Sequence, residues 1–113
     1  NALEFDYSEP IPDFNFIEKQ WTERQDEFEK TVVAMHGRPG SDVFNNNVSK
    51  VFQRYITQYP GLQFCINAHD HRSTADDLFE DGIIYYGSDC MKRRSYLLFT
   101  ITPDNYTYEV VYF

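Results

Sequence analysis

Residues 62–71 read LQFCINAHDH, and this stretch decides the fold that the sequence predicts. Residues 62–68 form an apolar run directly after a Pro60-Gly61 break, which is typical of a buried strand. Two of the three histidines in the chain, His69 and His71, follow this run at once. A buried strand that ends in histidines indicates an α/β sheet with polar side chains at its carboxyl edge.

The same pattern occurs once more, upstream of this stretch. The run at residues 31–35, TVVAM, is apolar and rich in β-branched side chains, and His36 follows it. The clearest helical periodicity in the chain lies between the two runs and consists of Val48, Val51, Phe52, Tyr55, Ile56 and Tyr59. Two strands joined by such a helix are expected to be parallel neighbours, so their carboxyl ends should lie side by side.

The remaining segments predict a mixed sheet. Residues 3–7 alternate apolar and polar side chains, as a short strand does. A helix is expected to begin after Asn15 as its N-cap, with Glu18 completing a variant of the capping box. Beyond residue 71 the pattern is that of a β meander, with strands expected at residues 78–79, 83–86, 96–101 and 106–113. The sequence thus predicts one α/β unit over residues 1–113, a mixed β-sheet with two helices on one face.

Composition and charge argue against two classes of partner. The formal net charge is −8, whereas nucleic-acid binding usually needs a basic face. No stretch approaches the ~20 consecutive apolar residues that a membrane-spanning helix requires. We therefore expect no nucleic-acid partner and no membrane partner. Two cysteines, Cys65 and Cys90, leave a disulfide open, and the cellular compartment does not follow from these features.

The histidines are candidates for metal binding. In an extended backbone His69 and His71 would point to one side, about 6.6 Å apart, where they could chelate one metal ion or reach two. Asp70 would then point away from them. The alternative is that both are ordinary loop histidines, and His36 at the matching strand end gives the metal interpretation equal weight.

From about residue 18 onward, the chain resembles the C-terminal half of a calcineurin-like metallophosphoesterase. The resemblance lies in the apolar strand followed by His36-Gly37-Arg38-Pro39, in the helix and strand that lead to Ala68-His69-Asp70-His71, and in the strands after them. It implies one half of a four-layer α/β sandwich. It also implies a hydrolase that acts on phosphomonoesters or phosphodiesters with two divalent ions of manganese, iron or zinc.

Carried over to this sequence, the resemblance implies three metal ligands and one substrate contact. His36 and His69 would bind one metal ion, and His71 would bind the other. Arg38 lengthens the loop after His36 by one residue and is a candidate to pair with a phosphate oxygen, the alternative being a solvated loop arginine. Ala68 stands where the family usually has glycine.

The upstream motifs of the family have no counterpart in residues 1–35. These motifs, D-x-H, G-D and G-N-H-D/E, supply the remaining ligands and the general acid, so no catalytic residue is predicted in this chain. No carboxylate is expected at the matching strand ends either, because Asp70 would point away and Asp42 lies beyond a glycine-containing loop. We expect the chain to be the C-terminal part of a longer domain, inactive alone, with weak metal binding or none.

Two functions stay open on this basis. The first is the C-terminal part of a metal-dependent phosphoesterase whose partner is a phosphoester substrate. The alternative is a non-catalytic α/β interaction module, in which the histidines are incidental and the aromatic strands or the acidic N-terminal segment bind a partner. Half of a two-sheet domain would expose the inner face of its sheet, so we expect the isolated chain to form a homodimer or a swapped dimer.

Overall fold

A computed structural model describes residues 11–113, and the strand predicted at residues 3–7 lies outside the described residues. The elements in chain order are α1 (Phe14–Arg24), β1 (Thr31–Ala34), α2 (Ser49–Ile56), β2 (Leu62–Asn67), β3 (Thr74–Asp76), β4 (Tyr85–Gly87), β5 (Ser95–Ile101) and β6 (Tyr106–Tyr112). Short 3₁₀ turns lie at Gln25–Glu27, Asn46–Val48 and Met91–Arg93. None of the helices in this part of the chain has the length and apolar character needed to cross a membrane.

The strands form two sheets. The first is a four-stranded sheet in the order β1-β2-β4-β3. In this sheet β1 is parallel to β2, β2 is parallel to β4, and β3 is antiparallel to β4. The second sheet is the antiparallel hairpin of β5 and β6. The prediction of an α/β fold with a mixed sheet and two helices is confirmed.

Both helices pack on the same face of the four-stranded sheet. Phe52 of α2 belongs to one buried cluster with Cys65 of β2 and Tyr85 of β4. Phe14 of α1 packs against this cluster, and its ring centroid lies 4.9 Å from that of Tyr55 in α2. The apolar stripe of α2 therefore serves as core packing.

The first helix begins earlier than the sequence predicts. Asp13 is its N-cap, and the Oδ1 atom of Asp13 accepts a hydrogen bond of 3.0 Å from the Phe16 amide. The prediction of Asn15 as the N-cap is wrong, because the aspartate two residues upstream already satisfies one of the free amides of the first turn. Asn15 instead lies inside that turn.

The strand predicted at residues 78–79 is wrong. The strand that pairs with β4 is β3, which ends at Asp76, before the predicted strand begins. A turn follows it, in which the Asp77 carboxylate accepts hydrogen bonds from the amides of Asp81 and Gly82 at 3.1 and 3.0 Å. Leu78 and Phe79 pack against the core cluster from this turn, which explains their apolar character.

The hairpin of β5 and β6 covers the opposite face of the four-stranded sheet. Phe99 of β5 stacks on Phe64 of β2 with ring centroids 4.3 Å apart. The hydroxyl of Tyr106 in β6 shares a hydrogen bond of 2.8 Å with the hydroxyl of Tyr86 in β4. The expectation of a bare inner face is thus wrong at β2 and β4, where Phe64 and Tyr86 are only 2% and 5% exposed. Association into a dimer stays a prediction.

Cys65 and Tyr85 are titratable side chains that lie fully buried in the core beneath the helices. Burial raises the pKa of the Cys65 thiol to about 12. Burial also raises the pKa of Tyr85 above its ordinary range, and the neighbouring Cys65 adds to this effect. Cys65 and Cys90 are both free thiols, so no disulfide links them. Both core groups therefore stay neutral at physiological pH, as their apolar surroundings require.

Candidate metal site

The carboxyl ends of β1 and β2 lie side by side, as predicted for parallel neighbours. The backbone pairing continues past both strands. The Met35 amide donates to the Ile66 carbonyl at 3.0 Å, and the Ala68 amide donates to the His36 carbonyl at 2.8 Å. The second bond holds His36 beside the residue that precedes His69. Two histidines that are far apart in the sequence therefore meet at one edge of the sheet.

His36 and His69 contact each other through their rings. The Nε2 atom of His36 lies 3.1 Å from the Nδ1 atom of His69. On its other side, His69 places its Nε2 atom 2.8 Å from the Oδ1 atom of Asp42. An ionised carboxylate only accepts hydrogen bonds, so His69 Nε2 carries the proton, and a neutral His69 ring keeps a lone pair on Nδ1. The three side chains form a continuous chain of hydrogen bonds.

Asp42 reaches the histidines because the loop between β1 and α2 folds back on itself. Asn46 braces this loop: its Oδ1 atom accepts from the Gly40 amide at 2.7 Å, and its Nδ2 atom donates to the Ser41 carbonyl at 3.0 Å. Ser41 is buried as a result. The exclusion of Asp42 from the site on sequence grounds is wrong. The asparagine run at residues 45–47 indicates that the loop carrying Asp42 folds back on itself, because asparagine side chains often bond to nearby backbone.

The histidine segment after β2 is not extended. His69 and His71 have positive φ angles of 72° and 53°. The Asp70 amide donates to the Ala68 carbonyl at 2.9 Å, which closes a γ-turn around His69. The prediction that both rings project from one side of an extended strand is therefore wrong. Such strained backbone positions recur at ligand-binding and catalytic sites.

Asp70, and not His71, groups with His69 and Asp42. Ligand atoms of Asp42, His69 and Asp70 all lie within 4.8 Å of one another. The prediction that Asp70 points away is thus wrong, because the γ-turn redirects the chain after His69. His71 is exposed and lies outside this group of three. Its role as a ligand to a second metal ion stays a prediction.

Arg38 lies beside the cluster with its side chain only 16% exposed. Its Nε atom is 3.5 Å from the Oδ2 atom of Asp70, and its Nη1 atom donates to the Pro39 carbonyl at 3.0 Å. The alternative of a solvated loop arginine is wrong, because the ion pair holds the guanidinium against the sheet edge. A positive charge therefore lies next to the candidate metal ligands.

The donor set suits a divalent cation. Imidazole nitrogens and carboxylate oxygens are common ligands of zinc, manganese and iron. Two ligands of a tetrahedral zinc ion lie about 3.3 Å apart when its bonds are about 2.0–2.1 Å long. His36 Nε2 and His69 Nδ1 are 3.1 Å apart, so an ion would fit between them with little movement once the His36 ring carries its proton on Nδ1 instead of Nε2. Asp42 would then hold the remaining N–H of His69, as carboxylates commonly do for metal-binding histidines.

Comparisons with known proteins leave this site without a counterpart. No protein-family model matches the chain, and neither a curated protein nor a solved structure matches it significantly. The relationship to metallophosphoesterases therefore stays a prediction based on residues and motifs.

Proposed function

We propose that this chain is the C-terminal part of a metal-dependent phosphoesterase. The observation that carries the proposal is the convergence of His36, His69 and Asp42 at the carboxyl ends of β1 and β2. Ligands of open α/β sheets bind at this edge. The three side chains come from the connections that follow β1 and β2, and Asp42 lies on a loop that is braced by its own hydrogen bonds. A carboxylate that holds one nitrogen of a histidine while the other nitrogen faces a second candidate ligand is common at metal sites, which supports the proposal.

The residues have distinct roles in the proposed site. His36 and His69 hold one divalent ion, and the Asp42 carboxylate fixes the ring of His69 through its Nε2–H. When bound, the ion supplies Lewis-acid polarisation of a phosphoryl oxygen and a lowered pKa for a bound water. The carboxylates of Asp42 and Asp70 offset part of its charge. His71 is the proposed ligand for a second ion.

Arg38 is the proposed substrate contact. Its guanidinium is held at the edge of the cluster by Asp70, 3.5 Å away. A guanidinium can donate two hydrogen bonds to a phosphate, and a partly buried, already positioned one loses less side-chain freedom on binding. Arg38 would thus orient the phosphoester beside the histidines, and its pairing with Asp70 would keep it in place between turnovers.

Two experiments test this function. The first is titration of zinc and manganese into the purified 113-residue chain, with weak binding expected that His36→Ala or His69→Ala removes. The second uses a longer protein that includes the residues encoded upstream, assayed with a generic aryl phosphate and a generic aryl phosphodiester. We expect chelator-sensitive hydrolysis by the longer protein and none by the 113-residue chain. If the upstream frame lacks D-x-H, G-D and G-N-H-D/E motifs and neither protein binds metal, the non-catalytic interaction module is favoured instead.

A further inference from the structure

One edge of the four-stranded sheet is open among the described residues. β1 lies at this edge, with β2 on its other side. The Met35 amide bonds to β2, so the alternation of the strand directs the backbone groups of Val32 and Ala34 away from β2. Val32 is also 38% exposed. An apolar edge strand of this kind is a template for one more strand.

A groove of about 1110 Å³ runs along this open edge, between β1 and α1. Its apolar wall includes Phe16 and Ile17 of α1, Phe28 after the helix, and Val33 of β1. Phe16 is 59% exposed, although it lies on the groove side of the helix. The groove therefore offers apolar side chains and an unpaired strand edge to the same occupant.

We propose that residues 3–7 of this chain pair with the open edge of β1 as a parallel strand. These residues lie outside the described part of the chain, and their sequence is Leu3-Glu4-Phe5-Asp6-Tyr7. The alternation puts Leu3, Phe5 and Tyr7 on one side of such a strand. That side would fill the apolar groove, while both acidic side chains face away from it.

The length and direction of the chain fit this placement. Ile11 already lines the groove, and residues 8–10 can span up to about 10 Å between it and the proposed strand. Only residues 25–30 join the end of α1 to the start of β1, so the helix runs back along β1 and starts near the carboxyl end of that strand. A strand that ends just before Ile11 would therefore run parallel to β1.

The handedness of strand crossovers selects the same edge. β1, α2 and β2 form one parallel crossover. The first helix lies on the same face as α2, since the Tyr59 hydroxyl donates to the Ile17 carbonyl at 3.1 Å. Parallel crossovers are right-handed in nearly all proteins. If two successive crossovers have the same hand and their helices lie on the same face, each new strand is added on the same side of the previous one. Since β2 follows β1 on one side, a strand that precedes α1 belongs on the other side of β1.

Charge complementarity favours residues 3–7 over a second copy of β1. The first ten residues contain three acids, Glu4, Asp6 and Glu9, and no lysine or arginine. Lys30 precedes β1 and donates to the uncharged carbonyl of Pro103 at 2.9 Å. Pro103 belongs to the loop of the β5–β6 hairpin, so the Lys30 ammonium lies on the face of the sheet opposite the groove, the face to which Glu4 would point. Parallel pairing brings Glu4 to that same end. The β1 strand of a second copy, TVVA, carries no charge to offer Lys30.

Nuclear magnetic resonance of the full 113-residue chain tests the placement directly. The Val32 and Ala34 amides should exchange with deuterium at least about 100-fold more slowly than in an unfolded peptide, as hydrogen-bonded strand amides do. Nuclear Overhauser contacts should connect both residues to residues 3–7 of the same molecule. Unprotected amides overturn the proposal. So do contacts that a mixed-label sample assigns to a second copy.

A matched pair of variants tests which side chains fill the groove. Phe5→Ser removes a groove-facing side chain and should abolish most of the protection at Val32 and Ala34. Asp6→Ser changes the next residue, which faces away, and should preserve that protection. Protection at Cys65 in the centre of the sheet reports that each variant is folded. Equal effects of the two substitutions, or retained protection in folded Phe5→Ser, overturn the proposal.

Discussion

His69 donates a hydrogen bond of 2.8 Å from its Nε2 atom to the Asp42 carboxylate, although 27 residues separate the two in the sequence. This bond fixes the ring so that its Nδ1 atom faces His36. A metal-binding histidine needs the same arrangement, with one nitrogen held by a carboxylate and the other free for the ion. The strand end supplies His69 and the braced loop supplies Asp42, so the site depends on both.

Replacing Asp42 with alanine should weaken zinc binding by about 10–100-fold, because His69 loses the partner that orients it. The free energy of unfolding should change by less than about 1 kcal/mol, since exposed ion pairs contribute little and the Asp42 side chain is 82% exposed. Isothermal titration calorimetry measures the affinity. Asp104→Ala, in the exposed loop between β5 and β6, is the control and should bind zinc like the wild type. An unchanged affinity in Asp42→Ala would show that the carboxylate does not orient the ring.

Replacing Phe64 with alanine should lower the free energy of unfolding by about 3–5 kcal/mol, the usual cost of removing a buried aromatic ring. Phe64 is 2% exposed and packs between the two sheets. Leu98→Ala on the outer side of the hairpin is the control, because Leu98 is 46% exposed. Its cost should stay below about 1 kcal/mol. Urea denaturation followed by Trp21 fluorescence measures both values, and similar losses would argue against the packing of the hairpin on β2.

Two glycines with positive φ separate backbone strain from steric overlap. A Cβ atom at Gly61 would overlap the Glu29 carbonyl oxygen, whereas one at Gly82 meets nothing within 4 Å. Gly82→Ala should cost about 1–2 kcal/mol from its left-handed backbone alone. Gly61→Ala adds the overlap and should cost at least about 1 kcal/mol more. Thermal or urea denaturation of both variants checks this order, and equal costs would mean that the turn before β2 can move away from residue 29.

Alkaline pH should destabilise the fold through Cys65. Burial raises the pKa of this thiol from an ordinary value of 9.0 to about 12. Because the pKa of the thiol is raised in the folded state, ionisation of the thiol favours unfolding as the pH rises. The contribution of the neutral thiol to the free energy of unfolding is complete below pH 9 and is lost progressively as the pH approaches 12. The slope approaches about 1.4 kcal/mol per pH unit. Denaturation at several pH values from 8 upward should show a decline that Cys65→Ala reduces just above pH 9, before the buried tyrosines contribute. An unchanged slope in Cys65→Ala would contradict the assignment.

The convergence of His36 and His69 could be predicted because it depends only on strand pairing. Apolar runs fix β1 and β2, and the helical stripe between them indicates a parallel crossover, so their carboxyl ends must meet. The asparagine run at residues 45–47 indicated a loop that folds on itself, but which side chains that loop and the next one bring to the histidines depends on individual loop dihedrals, so the positions of Asp42 and Asp70 could not be predicted. A histidine at residue 69 does not by itself indicate a γ-turn. The segment was therefore assumed to continue the extended strand before it.

The elements of the fold were predicted correctly where the hydrophobic periodicity is strong. They were predicted wrongly where the hydrogen bonds of a turn determine the path of the chain. The bounds of β1 and β2 differ from the predicted runs by one residue at the carboxyl end. The Asp77 side chain instead turned the chain where a strand was expected. The packing of the β5–β6 hairpin across the sheet was also missed, because apolar and aromatic side chains occur on both faces of these strands and do not indicate which face packs inward.

His71 combines backbone strain with exposure. Its φ of 53° lies in the left-handed region, and its side chain is exposed. This left-handed backbone costs a residue with a Cβ atom about 1–2 kcal/mol, whereas it costs glycine almost nothing. Glycine instead destabilises the fold by about 0.4–1 kcal/mol, because it increases the conformational entropy of the unfolded chain. His71→Gly should therefore be as stable as the wild type or up to about 1 kcal/mol more stable, and His71→Ala should stay close to the wild type. A loss above about 2 kcal/mol in His71→Ala would instead mean a buried role in the core.

The same substitution separates the stability of His71 from its proposed function. If His71 binds the second metal ion, His71→Gly in the longer protein should abolish phosphoester hydrolysis while the free energy of unfolding holds or rises. A residue strained for the sake of a site behaves in this way, because its backbone conformation is maintained at a cost to stability. Glu80→Gly is the control, since Glu80 also has a positive φ, 55°, and is exposed on the turn before β4. Glu80→Gly should gain stability to a similar extent and leave hydrolysis unchanged. Full activity in His71→Gly would instead show that His71 is not a ligand of the proposed metal site.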